Sequence, residues 1–476
     1  MRQGVRTALD LVTSLGLPAV YLLYVYVVLV APKSVTDGFW AFFFFDELPS
    51  WVRFSAALAP LLVPLVLATG VPGALGRWMA PMRSERLQSL FVWLAAVCAL
   101  LIFWNFRERR YWGDGPTIVG LFNGSIGRGA IAEVFYWVHA LDYLLGVALM
   151  KLTQAAWGWP AWEALALLSV LAGVGFVLLL APTARSLAST RYGRAFVFCL
   201  PLTMGASQLW FGHIEHYPRV TVFMLATMLT AVRYLQKGRG AWAVFLVATV
   251  TLTAHPLSLC LAPGLCLLPF LGPHGVRGRF GFWVRALVPA LVYLAGFFVV
   301  SRLLGAGDVV LNPWGMRFYV LPEEFTAIHV WNVLQNWLLT APLGAALIGF
   351  DALRLKRAWR DPIFAILAVW TLSFVPFTLL FNHGMARLRE WSLFAPAALP
   401  FALFVAYGHA RYAEQAHSAR VRGLAALVLS ASFTIPWVAS NYLHDKRPAL
   451  QVAGNESDQE NIRRGILTPT RNAMRP

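Results

Sequence analysis

The sequence predicts an all-α polytopic membrane protein of about 11–13 transmembrane helices. Three observations carry this. Of the 476 residues 59% are apolar and only 13% charged, where an ordinary soluble domain carries roughly 25%. Apolar stretches long enough to cross or nearly cross a bilayer recur along almost the whole chain. The short loops between them alternate between rich and poor in Arg and Lys.

This composition excludes a soluble domain, and it excludes a disordered chain, which needs low hydrophobicity beside its net charge. A net charge of +17 on a soluble protein would point to nucleic acid. On an apolar chain it points to loops facing anionic membrane lipids, so no nucleic-acid partner is expected. Cys98, Cys199, Cys260 and Cys266 all stand inside apolar stretches without a C-x-x-C pair, and read as buried small hydrophobes rather than a disulfide or zinc site. Arg outnumbers Lys 34 to 5, the codon bias of a GC-rich and hence bacterial genome.

In order, the spans fall near 15–32, 54–72 and 88–106, then 161–181, 195–211 and 218–235. The next two, 241–254 and 257–271, are short and meet at His255–Pro256, as two tilted helices or one broken helix. The last are 286–304, 331–349, 363–381, 392–408 and 424–441. With the N-terminus in the cytoplasm, Arg77, Arg83 and Arg86 lie inside, followed by Arg185, Arg191 and Arg194, and by Arg233, Lys237 and Arg239. Each later inner loop again carries three or four basic residues, the positive-inside pattern of a multi-pass protein of the cell inner membrane. The first span lacks the small-x-small exit of a cleavable signal. The chain thus divides into an N-terminal pair of spans (1–84), a main transmembrane domain (85–441) and a polar, flexible tail (442–476).

This topology gathers the unusual polar residues on the outer, periplasmic side. The long loop 105–160 carries Arg107, Arg109 and Arg110, then Asp114 between two glycines. Asp114 reads as a Gly-Asp-Gly turn or as a carboxylate brought close to a ligand. The arginines read as interfacial snorkelling or as a phosphate-binding cluster, since guanidinium pairs bidentately with phosphate. Glu133, His139 and Asp142 interrupt the apolar stretch 131–150, expected to be an in-plane or re-entrant helix. In a straight helix His139 and Asp142 share a face, and Glu133 lies opposite Asp142 unless the helix begins after it.

His213, Glu215 and His216 make up the next outer loop, and His255 the turn after that. His-x-Glu-His lacks the helical zinc spacing, so a hydrogen-bonding loop that contacts substrate is expected, ionisable groups at membrane depth seldom being idle. Arg387, Arg389 and Glu390 read as a surface ion pair or a phosphate clamp. Asp46–Glu47 is a rival acidic site ranked below Asp114, because its setting is an interfacial turn. Walker loops, G-x-S-x-G elbows and H-E-x-x-H motifs are absent, so nucleotide-driven chemistry is unsupported.

Tyr111-Trp112-Gly113-Asp114-Gly115, the Glu133–His139 segment, Phe211–Pro218 and Leu388–Ala395 together resemble the bacterial GT-C membrane glycosyltransferases, in the branch of the protein O-mannosyltransferases and lipid A aminoarabinose transferases. The resemblance covers roughly 85–441 and makes that segment a GT-C-like catalytic domain whose long first periplasmic loop carries short in-plane helices. It implies transfer of a sugar from a polyprenyl-phosphate-linked donor to an acceptor hydroxyl of a lipid, glycan or protein at the outer face. By the same resemblance Asp114 is the general base and Glu133 a second acid, while Arg107, Arg109, Arg387 or Arg389 holds the donor phosphate. A divalent metal, present in some relatives, is left open because Asp114 has glycine rather than acidic neighbours. The rivals are a transporter or flippase of a lipid-linked or anionic substrate, which needs inverted repeats not visible here, and a non-catalytic membrane scaffold.

Overall fold

A computed structural model of the protein describes residues 25–26, 45, 48–68, 85–108, 115–122, 139–272, 278–303, 326–341, 358–380, 391–413 and 417–444. All regular structure among these residues is helical. Helix α1 is Ser50–Ala68, α2 Glu85–Asn105, α3 Gly115–Phe122, α4 Ala140–Trp157, α5 Ala161–Leu187 and α6 Arg191–Leu202. After a 3₁₀ segment, Gly205–Trp210, come α7 Tyr217–Lys237 and α8 Ala241–Ala254, then a second 3₁₀ segment, Pro256–Leu261, and α9 Ala262–Leu271. The remainder are α10 Gly278–Leu303, α11 Ala327–Thr340, α12 Pro362–Leu380, the short α13 Trp391–Phe394, α14 Ala398–Gly408 and α15 His417–His444.

Five of these segments are long and apolar enough to cross a membrane: Arg86–Asn105, Ala161–Leu187, Pro362–Leu380, Trp391–Arg411 and Arg422–Tyr442. They occupy different layers. The Trp391–Arg411 span is 94% buried, so it runs through the centre, whereas Arg86–Asn105 is only 17% buried and turns Leu90, Trp93, Leu94 and Leu101 outward. An apolar helix surface of that kind suits lipid. Helix α5 is the hub, packing against α2, α4, α6 and α7. Small residues allow the close approach: a Cβ on Gly173 would stand 2.6 Å from Trp210 Cβ and 2.8 Å from the Phe103 ring.

The expected spans that fall on described residues reappear with shifted ends; 15–32, apart from residues 25–26, and the stretches 69–72 and 342–349 lie outside the described residues. The stretch 195–211 is not one helix: α6 stops at Leu202, and the chain continues as a 3₁₀ segment. Pro201 cannot donate its backbone N–H, and Gly205 is so tightly set against the Leu339 carbonyl that any Cβ would collide with it. The short pair 241–254 and 257–271 is interrupted at His255, the junction in both readings, and Pro256 opens the 3₁₀ segment. Helix α4 begins at Ala140, later than the expected 131, and runs on to Trp157. Helices α10 and α15 start earlier than expected because their polar first turns escape a hydropathy window.

Aromatic side chains mark one end of the bundle. Trp157 is tilted against Trp159, with ring centroids 5.2 Å apart, and Trp159 stacks on Trp104 at 5.5 Å and 11°. The Arg107 guanidinium caps the row, 3.9 Å over the Trp104 ring, a cation–π arrangement. At the far end of the chain's helices, Tyr192 joins His409 at 3.0 Å and the Arg420 carbonyl at 3.1 Å.

Candidate active site

Two buried polar clusters form where α2, α4, α5, α7, α8 and α13 meet at the aromatic-marked end. The first is organised by the loop 211–216. Gly212 adopts φ 76°, and a Cβ there would stand 2.8 Å from Arg107 Cβ, so glycine lets this loop lie directly on the chain leaving α2. The Glu108 backbone N–H donates to the Phe211 carbonyl at 2.8 Å. The Glu108 side chain takes a hydrogen bond from Gln208 Nε2 (3.2 Å) and pairs closely with His213 Nδ1. His213 Nε2 stands 3.5 Å from Glu215 Oε2, an ion-pair distance. The same Glu215 oxygen accepts from the Ser392 hydroxyl at 2.6 Å. The His213 ring lies 4.9 Å from that of Trp391. Burial alone would strip His213 of its proton, but Glu108 and Glu215 overcome it and push the imidazole, in a loop outside the helices, up to about 10.

The second cluster centres on Asp142 in the first turn of α4. Arg219, in the first turn of α7, closes on both Asp142 oxygens, with Nη2 to Oδ2 at 2.5 Å. His216 Nδ1 joins Oδ2 at 2.5 Å. The His139 ring stacks on His216 (3.9 Å, 18°) and on His255 (4.4 Å, 24°). All three histidines sit at helix caps: His139 before α4, His216 before α7, His255 after α8. The His255 Nδ1 accepts the Leu257 N–H at 2.9 Å, which holds the break in the chain. A narrow cavity between α3 and this cluster is lined by Ile118, Phe122 and Tyr143 on one side and by Asp142, His216 and Arg219 on the other.

Ser169 of α5 links the clusters. Its hydroxyl accepts from Arg219 Nη1 at 3.0 Å and donates to the His213 carbonyl at 2.6 Å. One continuous chain of polar contacts therefore runs from Glu108 through His213, Ser169, Arg219 and Asp142 to His216. Hydrogen bonds of this kind gain strength in a low-dielectric interior, and a missing partner there is costly.

Of the residues singled out from sequence, the structure brings together His139, His213, Glu215, His216 and His255. It sets Arg107 beside them, but with its guanidinium on Trp104 and Nη1 donating to the Trp104 carbonyl at 2.9 Å, the geometry of the interfacial reading. Asp114, Glu133, Arg109, Arg110, Arg387, Arg389 and Glu390 lie outside the described residues, as do Asp46, Glu47 and the tail. Sequence reasoning passed over Arg219, Ser169, Gln208, Glu108 and Ser392. Arg219 was findable: a guanidinium inside an apolar run, three residues after His216, needs a buried acid. Nothing in the sequence marks Ser169 or Gln208.

Among the described residues no group of three or more His, Cys, Asp or Glu is arranged to hold a metal ion. The donors present are committed to one another: the His213 nitrogens face two carboxylates, and His216 Nδ1 faces Asp142. These described residues do not fit a resident metal.

No family model matches the chain, and no curated protein matches it in sequence. In fold it is similar to the crystal structure of ArnT from Cupriavidus metallidurans bound to undecaprenyl phosphate. The TM-score is 0.52 at 11% identity, over 76% of this chain and 78% of that chain. The chain shares its helical membrane-protein fold with that structure. At this identity the likeness is one of fold.

Proposed function

We propose that the protein is a membrane glycosyltransferase that moves a sugar from a polyprenyl-phosphate carrier to an acceptor hydroxyl at the outer face of the cytoplasmic membrane. One observation carries the reading. In a fold shared with a protein crystallised with undecaprenyl phosphate, histidines and acids from separate loops converge at one end of the helices. Buried ionisable groups of this density in a membrane protein mark a functional site.

In this reading the chain enters the cluster from segments that bear the reacting groups. The Asp114 carboxylate takes the proton of the acceptor hydroxyl. The oxygen attacks the anomeric carbon, the bond from that carbon to the phosphate oxygen breaks, and polyprenyl phosphate leaves with the electron pair. Arg109, Arg110, Arg387 and Arg389 hold the departing phosphate and stabilise its growing charge. Arg107, stacked on Trp104 on the chain leaving α2, joins them in that role. Glu133 serves as a second acid near the acceptor. His139, His216 and His255, together with Glu390, shape the surface that meets the sugar.

Asp114→Asn should lower transfer by at least about 100-fold, the usual worth of a general base, with membrane insertion intact. Mass spectrometry of lipid-linked sugars and envelope glycans reads the outcome: an accumulated donor beside an undersized glycan supports the reading. Unchanged glycans in that variant would remove Asp114 from the role of base. Unchanged lipid-linked sugars and glycans in cells lacking the protein would sink the transferase reading itself.

A further inference from the structure

We propose that His213 is a positioning residue for the donor site: one buried imidazolium, held between Glu108 and Glu215, locks the ends of three separate outer segments in a fixed relation. The inference rests on the transferase reading for its purpose, but its geometry stands alone.

Both His213 ring nitrogens face carboxylate oxygens, Nδ1 that of Glu108 and Nε2 that of Glu215. A neutral imidazole has one N–H, so its other nitrogen would turn a lone pair towards an anion. The doubly protonated ring presents an N–H to each ionised carboxylate. The raised proton affinity of His213 agrees, and its cause is these two acids acting against burial. Among the described residues, the groups that face the ring are the two carboxylates and the Trp391 indole, with Ser169 on its carbonyl.

The two carboxylates are tied to different segments. Glu108 is anchored by its own N–H to Phe211 and by Gln208, and in sequence it directly precedes Arg109 and Arg110. Glu215 holds Ser392, three residues after Arg389. The imidazolium thus joins the chain leaving α2 to the loop 211–216, and Glu215, which it holds, carries the link on to Ser392 at the start of α13. The first and last are the segments whose arginines the transferase reading assigns to phosphate. Binding a dianion with guanidinium groups from two segments demands that those segments not drift apart, and positional precision of this sort is worth large factors in rate and affinity.

The test uses the full chain in lipid nanodiscs, with undecaprenyl phosphate as the probe. His213→Gln keeps an amide donor and loses the charge; Glu215→Gln keeps the Ser392 contact and loses the charge. The expected result is undecaprenyl-phosphate binding about ten-fold weaker in both, with cooperative melting retained. In a transfer assay the donor KM rises while kcat and the acceptor KM hold. A residue that merely supported the fold would instead lower the active fraction and so kcat, leaving KM alone. The second arm is the melting temperature between pH 6.5 and 10, which should fall in the wild type and stay flat in His213→Gln. Wild-type binding in both variants overturns the positioning role. A wild-type melting profile no steeper than that of His213→Gln overturns the imidazolium itself. Wild-type protein that fails to bind undecaprenyl phosphate overturns the transferase reading and the donor half of this proposal, and the melting arm then judges the lock by itself.

Discussion

Arg219 and Asp142 belong to different helices, are both buried, and meet side by side, with His216 on the same carboxylate. Two charges withdrawn from water tolerate each other only as a pair, and removing one partner of a buried pair costs about 3–5 kcal/mol. Arg219→Gln should therefore lower thermal stability strongly, and Asp142→Asn likewise. The double variant should lose less than the sum of the two, since neither then leaves an unpaired buried charge. Melting curves of the three proteins in detergent check this. His213 gives a pH dependence of defined sign. Its proton affinity rises from the ordinary 6.5 to about 10 on folding. The stability it contributes is complete below 6.5, declines above it, and is gone once the pH passes about 10. At this scale the sequence showed which histidines and acids interrupt apolar stretches. It did not show which acid would find which base, because Asp142 and His216 are separated by 74 positions and only the fold pairs them.

Helix existence was legible where length and apolarity sufficed, as in α5, α8 and α12. Helix interruption was legible at His255–Pro256 but not after Leu202. A hydropathy window registers apolarity alone and cannot see that Leu339 crowds Gly205. The helix–helix contacts follow the same logic. Gly173 of α5 admits Trp210 and Phe103 to van der Waals contact with the helix backbone. Gly173→Leu should cost about 1–3 kcal/mol by overpacking, measured as a lower melting temperature. Gly175→Leu, whose nearest neighbour beyond its own helix is 3.7 Å from a built Cβ, should cost less. A reversed order would remove Gly173 from the α2–α5 contact.

For the whole molecule, the positive-inside pattern predicts which ends of the helices face the cytoplasm, and labelling tests it. With the native cysteines replaced, Gln154→Cys near the end of α4 should react with a membrane-impermeant maleimide added to intact cells. Lys237→Cys at the end of α7 should react only after permeabilisation. The opposite pattern would invert the topology. The five candidate spans among the described residues and the fold shared with ArnT show how far hydropathy carried: it revealed a helical membrane protein. It left the polar interior unassembled, because contacts such as Glu215 to Ser392 join residues 177 positions apart. The row of indoles from Trp157 to Trp104, capped by Arg107, has a further consequence. The Arg86–Asn105 span has 20 residues, about 30 Å of helix, which is the thickness of a bilayer's hydrocarbon layer. Indole and guanidinium groups settle at the boundary between acyl chains and headgroups. The row therefore acts as a waterline, and Glu108 lies one residue above it. A lipid that floats in the same leaflet carries its phosphate at that very height. Under the proposed transferase reading, the bilayer supplies one coordinate of the alignment, and a lipid-phosphate donor has only to be recruited sideways.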